Sequence, residues 1–201
     1  EGKSMSKKLA IFDLDGTLFD TSIANRIAYQ KALNLCGYHI TLDHEHFKKY
    51  CNGRSFRDFL PPFLPLSFLS LNENEKEEIL QRIHREKINV YPDFLETIIP
   101  NKYLFDLIHA VKDTYHIALV TTASKTCTDQ ILEHFQVKDL FELIITQEDV
   151  ERRKPDPEGF FLAMEYFCVT KENTLIFEDS DVGINAAKSA GTGYVKVGGY
   201  S

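Results

Sequence analysis

No long basic block, no CxxC pair and no bilayer-length apolar run occurs in this chain, and tryptophan is missing altogether. Each of the first three absences removes a class of function. Without clustered lysine and arginine, and with a formal net charge of −7, nucleic acid and anionic membrane are poor partners. The cysteines at 36, 51, 127 and 168 are widely spaced, which argues against a thiolate metal site or a disulfide framework; reduced thiols in the cytoplasm are expected. Apolar stretches stop well short of a membrane span. Repeats and low-complexity tracts are absent as well. Lys7 and Lys8 lead into an apolar run that Asp13 interrupts, so no signal peptide is expected, and Glu1 to Ser4, ahead of Met5, read as a non-native remnant.

What is present suffices for a core. Of 201 residues 43% are hydrophobic, enough for one domain, or for one domain carrying a smaller insert. Short apolar runs recur at Leu9 to Phe12, Ile117 to Val120, Leu143 to Thr146 and Thr174 to Phe177, with a weaker one at Gly193 to Val197. Each is too short for a helix and apolar on successive residues, as strands buried on both faces are. Helical patterns lie between them at Lys125 to Phe135, Pro157 to Phe167 and Asp181 to Ala190. This alternation predicts a mostly parallel sheet with helices on both faces and a ligand crevice beyond the carboxyl ends of the strands.

Residues 21–90 break the rhythm. Helical patterns there cover Ser22 to Cys36, Asp43 to Tyr50, Phe56 to Leu60 and Asn72 to Asn89, with a proline-rich stretch from Leu60 to Pro65. The segment reads as a helical subdomain inserted after the first strand, joined through Phe19-Asp20-Thr21 and Val90-Tyr91-Pro92. Residues 1–20 and 91–201 would then form the core domain.

Chemistry-bearing residues gather where the apolar runs stop. The first ends in Asp13-Leu14-Asp15-Gly16-Thr17. Two carboxylates at the end of a buried strand are costly unless a cation sits between them, although an Asp-Gly pair also makes an ordinary turn. The second ends in Thr121-Thr122, whose hydroxyls and helix-start amides suit a phosphate oxygen, while Ser124 is better read as an N-cap. Beyond the third stands Lys154-Pro155-Asp156, where the lysine is either a solvated loop cation or the group that neutralises the acids. The fourth ends in Glu178-Asp179-Ser180. More acids in the same crevice would repel Asp13 and Asp15, and a hard divalent cation resolves that repulsion. Helix capping competes for this last segment and takes Ser180 and Asp181.

In their order and context these segments resemble the four motifs of the haloacid dehalogenase-like hydrolase superfamily, over nearly the whole chain from Leu9 to Val197. The resemblance implies an α/β fold, a Rossmann-like three-layer α/β/α parallel-sheet core. It also implies that the insert at 21–90 is the helical cap of the phosphoglycolate phosphatase and beta-phosphoglucomutase branch. By carry-over Asp13 is the nucleophile, Asp15 the general acid and base, and Thr122 and Lys154 hold the phosphoryl oxygens. Mg2+ would be held by the Asp13 carboxylate, the Asp15 backbone carbonyl and Asp179, with Glu178 close by. Asn52 to Arg57 resembles the family's specificity loop, so Arg54 or Arg57 would meet an anionic leaving group. The chain departs from the family at Arg153, often glycine, and at Pro92-Asp93, often Pro-Gly.

The implied activity is Mg2+-dependent hydrolysis of a small phosphorylated metabolite through an aspartyl-phosphate. Asp15 disfavours dehalogenation, and Thr17 favours hydrolysis over the rival phosphosugar mutase, whose relatives commonly carry valine there. A non-catalytic binding protein of the same fold would be expected to lack one of Asp13, Asp15, Thr122, Lys154 or Asp179, and all are present. Phosphoglycolate, sugar phosphates and nucleotides all remain open as substrates.

Overall fold

The computed structural model describes residues 6–198, so the presumed remnant Glu1 to Ser4 lies outside the described residues. The chain divides into two compact units, one formed by residues up to Asp20 and from Pro100 onward, the other by Thr21–Ile99. Two-residue strands, β2 (Phe19–Asp20) and β3 (Ile99–Pro100), stand at the two crossings.

The first unit is built on five parallel strands: β1 (Lys8–Phe12), β4 (Tyr115–Val120), β5 (Leu143–Ile145), β6 (Thr174–Glu178) and β7 (Gly193–Lys196). Their order is β5-β4-β1-β6-β7, and every pairing is parallel. Helices cover both sides, giving the α/β Rossmann-like arrangement that the alternating pattern predicts. Leu9 to Phe12 are all buried, which is why that run shows no alternation. Strand order reverses at β1, which pairs with β4 on one side and β6 on the other. A crevice opens at such a reversal, at the carboxyl ends of the strands. The register Phe12↔Leu119 and Phe12↔Phe177 brings the three strands to an end together, so whatever follows each of them meets there.

Helices α6 (Lys102–Val111), α7 (Lys125–His134), α8 (Glu158–Phe167) and α9 (Asp181–Ala190) complete this unit. α6 was not among the expected helices. It starts on Asn101, whose side chain accepts from the Leu104 amide, and buries Phe105 and Ile108 one turn apart. α9 packs closely because Ala186, Ala187 and Ala190 face the core shared by Leu9, Ile11 and Ile176.

The second unit holds α1 (Ser22–Leu35), α2 (His44–Tyr50), α3 (Phe56–Phe59), α4 (Leu66–Leu69) and α5 (Glu73–Val90). Its own core gathers Tyr29, Leu33, Phe47, Phe59 and Ile83. Asn72 and Glu75 cap α5 reciprocally, each side chain accepting from the other's amide. The unit runs on to Ile99 rather than stopping at residue 90. Tyr91 explains the extension: it is buried, with the Lys87 ammonium 3.8 Å above its ring, so the turn Tyr91–Thr97 stays with the helices. No disulfide joins the four cysteines, and among the described residues no helix is long and apolar enough to cross a membrane.

Candidate active site

Asp13 follows the last residue of β1, and its amide still donates to the Phe177 carbonyl at 3.1 Å, which extends the sheet by one bond. The chain then turns through Gly16, at φ +81°, with the Gly16 amide donating to the Phe19 carbonyl at 2.7 Å. This turn buries both acids, Asp13 at 8% exposure and Asp15 at 7%.

Lys154 enters from the loop before α8, where the Lys154–Pro155 peptide is cis. Its ammonium donates to Asp13 Oδ1 at 2.9 Å, to the Val120 carbonyl at 2.8 Å and to Glu178 Oε1. Glu178 closes β6 with no exposed surface, and its Oε2 is buried with no hydrogen-bond partner. Asp179 follows and accepts from the Thr17 hydroxyl at 3.0 Å through Oδ1. Oxygens of Asp13, Glu178 and Asp179 all lie within 4.8 Å of one another.

The electrostatics follow from that crowding. Burial alone would depress the Lys154 pKa, but Asp13 and Glu178 outweigh it and hold the ammonium above the ordinary lysine value. Burial, and then the charge of Asp13, push Glu178 well above the usual carboxylate range despite the pull of Lys154. Burial and Asp13 likewise push Asp179 up to about 7, with Asp15 adding to the rise and the Thr17 hydroxyl opposing it. One ammonium therefore bonds two buried carboxylates, with the half-buried Asp179 carboxylate close beside them. An all-oxygen cluster with surplus negative charge and an orphaned carboxylate oxygen fits a hard divalent cation.

At the end of β4 the Thr121 amide donates to the Ile145 carbonyl at 2.9 Å, and its hydroxyl accepts from the Ala123 amide at 3.1 Å. Thr121 thus shapes the turn, while Thr122 is half-buried and lines the same pocket as Lys154. Ser124 and Ser180 cap α7 and α9, accepting from the Cys127 and Gly183 amides.

The structure therefore brings Asp13, Lys154, Glu178 and Asp179 into contact range, with Asp15 on the same turn and Thr122 beside Lys154. Arg54 and Arg57 belong to the second unit. Arg57 is committed to Glu77 through its Nε and Nη2 atoms, and its guanidinium lies 4.4 Å from the Phe56 ring; Arg54 is exposed. Two residues at the site escaped sequence reasoning in this role. The Thr17 hydroxyl bonds Asp179, and Gly183 makes room for Glu178, since a Cβ there would fall 2.1 Å from Glu178 Cδ. The small-residue pattern of α9 was the available signal for Gly183; nothing local marks the Thr17 contact.

Comparison with known proteins identifies the family. The sequence model of the haloacid dehalogenase-like hydrolases matches residues 10–197. A phosphorylated carbohydrates phosphatase of Thermotoga maritima is 30% identical over 182 residues, covering 90% of this chain and 80% of that protein. Fructose-1-phosphate phosphatase YqaB of Escherichia coli is 25% identical over 187 residues, covering 93% of this chain and 94% of its own. The crystal structure of beta-phosphoglucomutase from Clostridium difficile matches with a TM-score of 0.72 at 28% identity, over 96% of this chain and 86% of that one.

Proposed function

This chain belongs to the haloacid dehalogenase-like hydrolase family and is a phosphatase of that family, and from that premise we propose that it hydrolyses a small phosphorylated metabolite through an aspartyl-phosphate on Asp13. The observation that carries the proposal is the Lys154 ammonium bonded to both Asp13 and Glu178, two buried carboxylates clustered with the half-buried Asp179. Asp13, Asp179 and Glu178, with the Asp15 carbonyl, would hold Mg2+. When bound, the ion offsets negative charge on the carboxylates and on the phosphoryl oxygens.

Each side chain then has a defined task. An Asp13 oxygen attacks phosphorus as the bond to the leaving oxygen breaks, and Asp15 gives that oxygen its proton. Asp15, now a carboxylate, takes a proton from a water whose oxygen attacks phosphorus. The bond to Asp13 breaks, and inorganic phosphate leaves. Lys154 and the Thr122 hydroxyl hold the phosphoryl oxygens through both steps, which aligns the transfer and stabilises charge as it spreads.

Sugar phosphates head the substrate classes, because the Thermotoga relative is named for phosphorylated carbohydrates and the Escherichia relative for fructose 1-phosphate. Of the two candidate arginines, Arg54 and Arg57, the ion pair to Glu77 makes Arg57 the weaker choice for an anionic leaving group. Mutase chemistry is the second reading, supported by the likeness to beta-phosphoglucomutase. Phosphate release from a panel of phosphorylated metabolites, with and without Mg2+, tests the proposal. Mg2+-dependent release from sugar monophosphates is expected. Isomerisation of a hexose monophosphate without release would replace it with the mutase reading.

A further inference from the structure

We propose that Thr17 is a positioning residue whose hydroxyl orients the Asp179 carboxylate and so sets how tightly the acidic cluster holds Mg2+. The inference rests on the metal reading above. Asp179 sits among like charges and, left to itself, would turn its oxygens away from Asp13. Two features of the first turn prevent this. The Thr17 hydroxyl donates to Oδ1 at 3.0 Å, and Thr17 has no exposed surface, so water cannot replace that bond. The other oxygen is bounded by Gly16, where even a Cβ would fall 2.2 Å from Oδ2. The dipeptide Gly16-Thr17 therefore borders both oxygens of one carboxylate.

The donor is itself fixed. The Thr17 amide donates to the Leu14 carbonyl at 3.3 Å, and the Thr17 carbonyl accepts from Asn101 Nδ2 at 3.1 Å. Asn101 is buried and caps α6, so the hydroxyl is carried on backbone held at both ends. A ligand-bearing carboxylate held by a rigid partner loses little on binding its ion, whereas a freely rotating one must first be ordered. A purely structural threonine would also bury its hydroxyl against an acceptor. Its loss would lower stability without a selective effect on the ion, and this difference makes the two roles separable.

Thr17→Val keeps the shape and removes the hydroxyl, while Thr17→Ser keeps the hydroxyl. Mg2+ affinity of the full chain is measured by calorimetric titration without substrate, with Tm in EDTA as the check on folding. Thr17→Val should weaken Mg2+ binding on the order of 10- to 100-fold, and Thr17→Ser should stay close to the parent. If valine is not accommodated, Thr17→Ala takes its place with the same expectation. A hydroxyl-free variant with the parent's affinity overturns the inference, as does a serine variant that loses as much as valine. A parent chain that binds no Mg2+ overturns the metal reading together with the inference, whereas normal parent binding with an unaffected variant overturns this inference alone.

Discussion

Gly16 is the residue at which backbone and chemistry are least separable. Its φ of +81° is strained for any L side chain, and an added Cβ would overlap Asp179 Oδ2. Gly16→Ala should therefore displace Asp179 and lower kcat about a hundredfold, the scale on which misplacement of about 1 Å is felt; steady-state phosphate release measures it. The acids themselves make a second expectation, about pH. Asp179 ionises near 7 in the folded chain against an ordinary value of 3.8. Its folded form thus binds protons more readily than its unfolded form, and its contribution to stability is complete below 3.8 and lost as pH rises through about 7. Metal-free protein in EDTA should accordingly lose stability toward neutral pH, and Asp179→Asn should flatten that part of the profile in denaturant titrations.

The elements divide into those that announce themselves in sequence and those that do not. β1, β4, β5 and β6 were legible because both of their faces are covered, leaving unbroken apolar runs ended abruptly by polar residues. The same abrupt endings made Asp13, Lys154, Glu178 and Asp179 stand out as candidates. α6 was not legible, since its buried stripe is little more than Phe105 and Ile108. That the compact helical unit continues past Val90 to Ile99 is not written in local pattern, because the burial of Tyr91 depends on packing. Thr17 and Asp179 lie 162 residues apart, and no spacing rule could join them. α5 carries a further expectation of its own. His84 is buried against the Phe56 ring at 4.1 Å, shares a hydrogen bond of 3.0 Å with the Tyr29 hydroxyl, and has a buried Nε2 with no hydrogen-bond partner. Burial first, then the charges of Lys87 and Arg57, push its pKa down from 6.5 to about 3. The unfolded chain protonates sooner, so this contribution is present above 6.5 and lost as pH falls toward 3. Protection factors of the α5 amides, taken relative to intrinsic exchange at each pH, should therefore fall as pH drops below 6.5, and His84→Phe should remove much of that fall.

In the molecule as a whole these two titrations oppose each other and belong to different units, Asp179 to the sheet and His84 to the helices. Stability measured on the entire chain will average them, which is why the single variants are needed. The sheet explains why so many charges can be kept together. Parallel strands ending in register at β1, β4 and β6 deliver acids and backbone carbonyls to one crevice, and α8 follows the loop that returns a single lysine among them. A family relationship spanning residues 10–197 places the chain among hydrolases. It leaves open how the phosphoryl group travels. Rapid quenching of the working enzyme with a sugar monophosphate in Mg2+, followed by peptide mass spectrometry, reads that route. The expected result is one phosphoryl group on the peptide carrying Asp13, absent in Asp13→Asn together with turnover. Full turnover by Asp13→Asn, or a phosphoryl group carried by a different residue, would contradict the proposed mechanism.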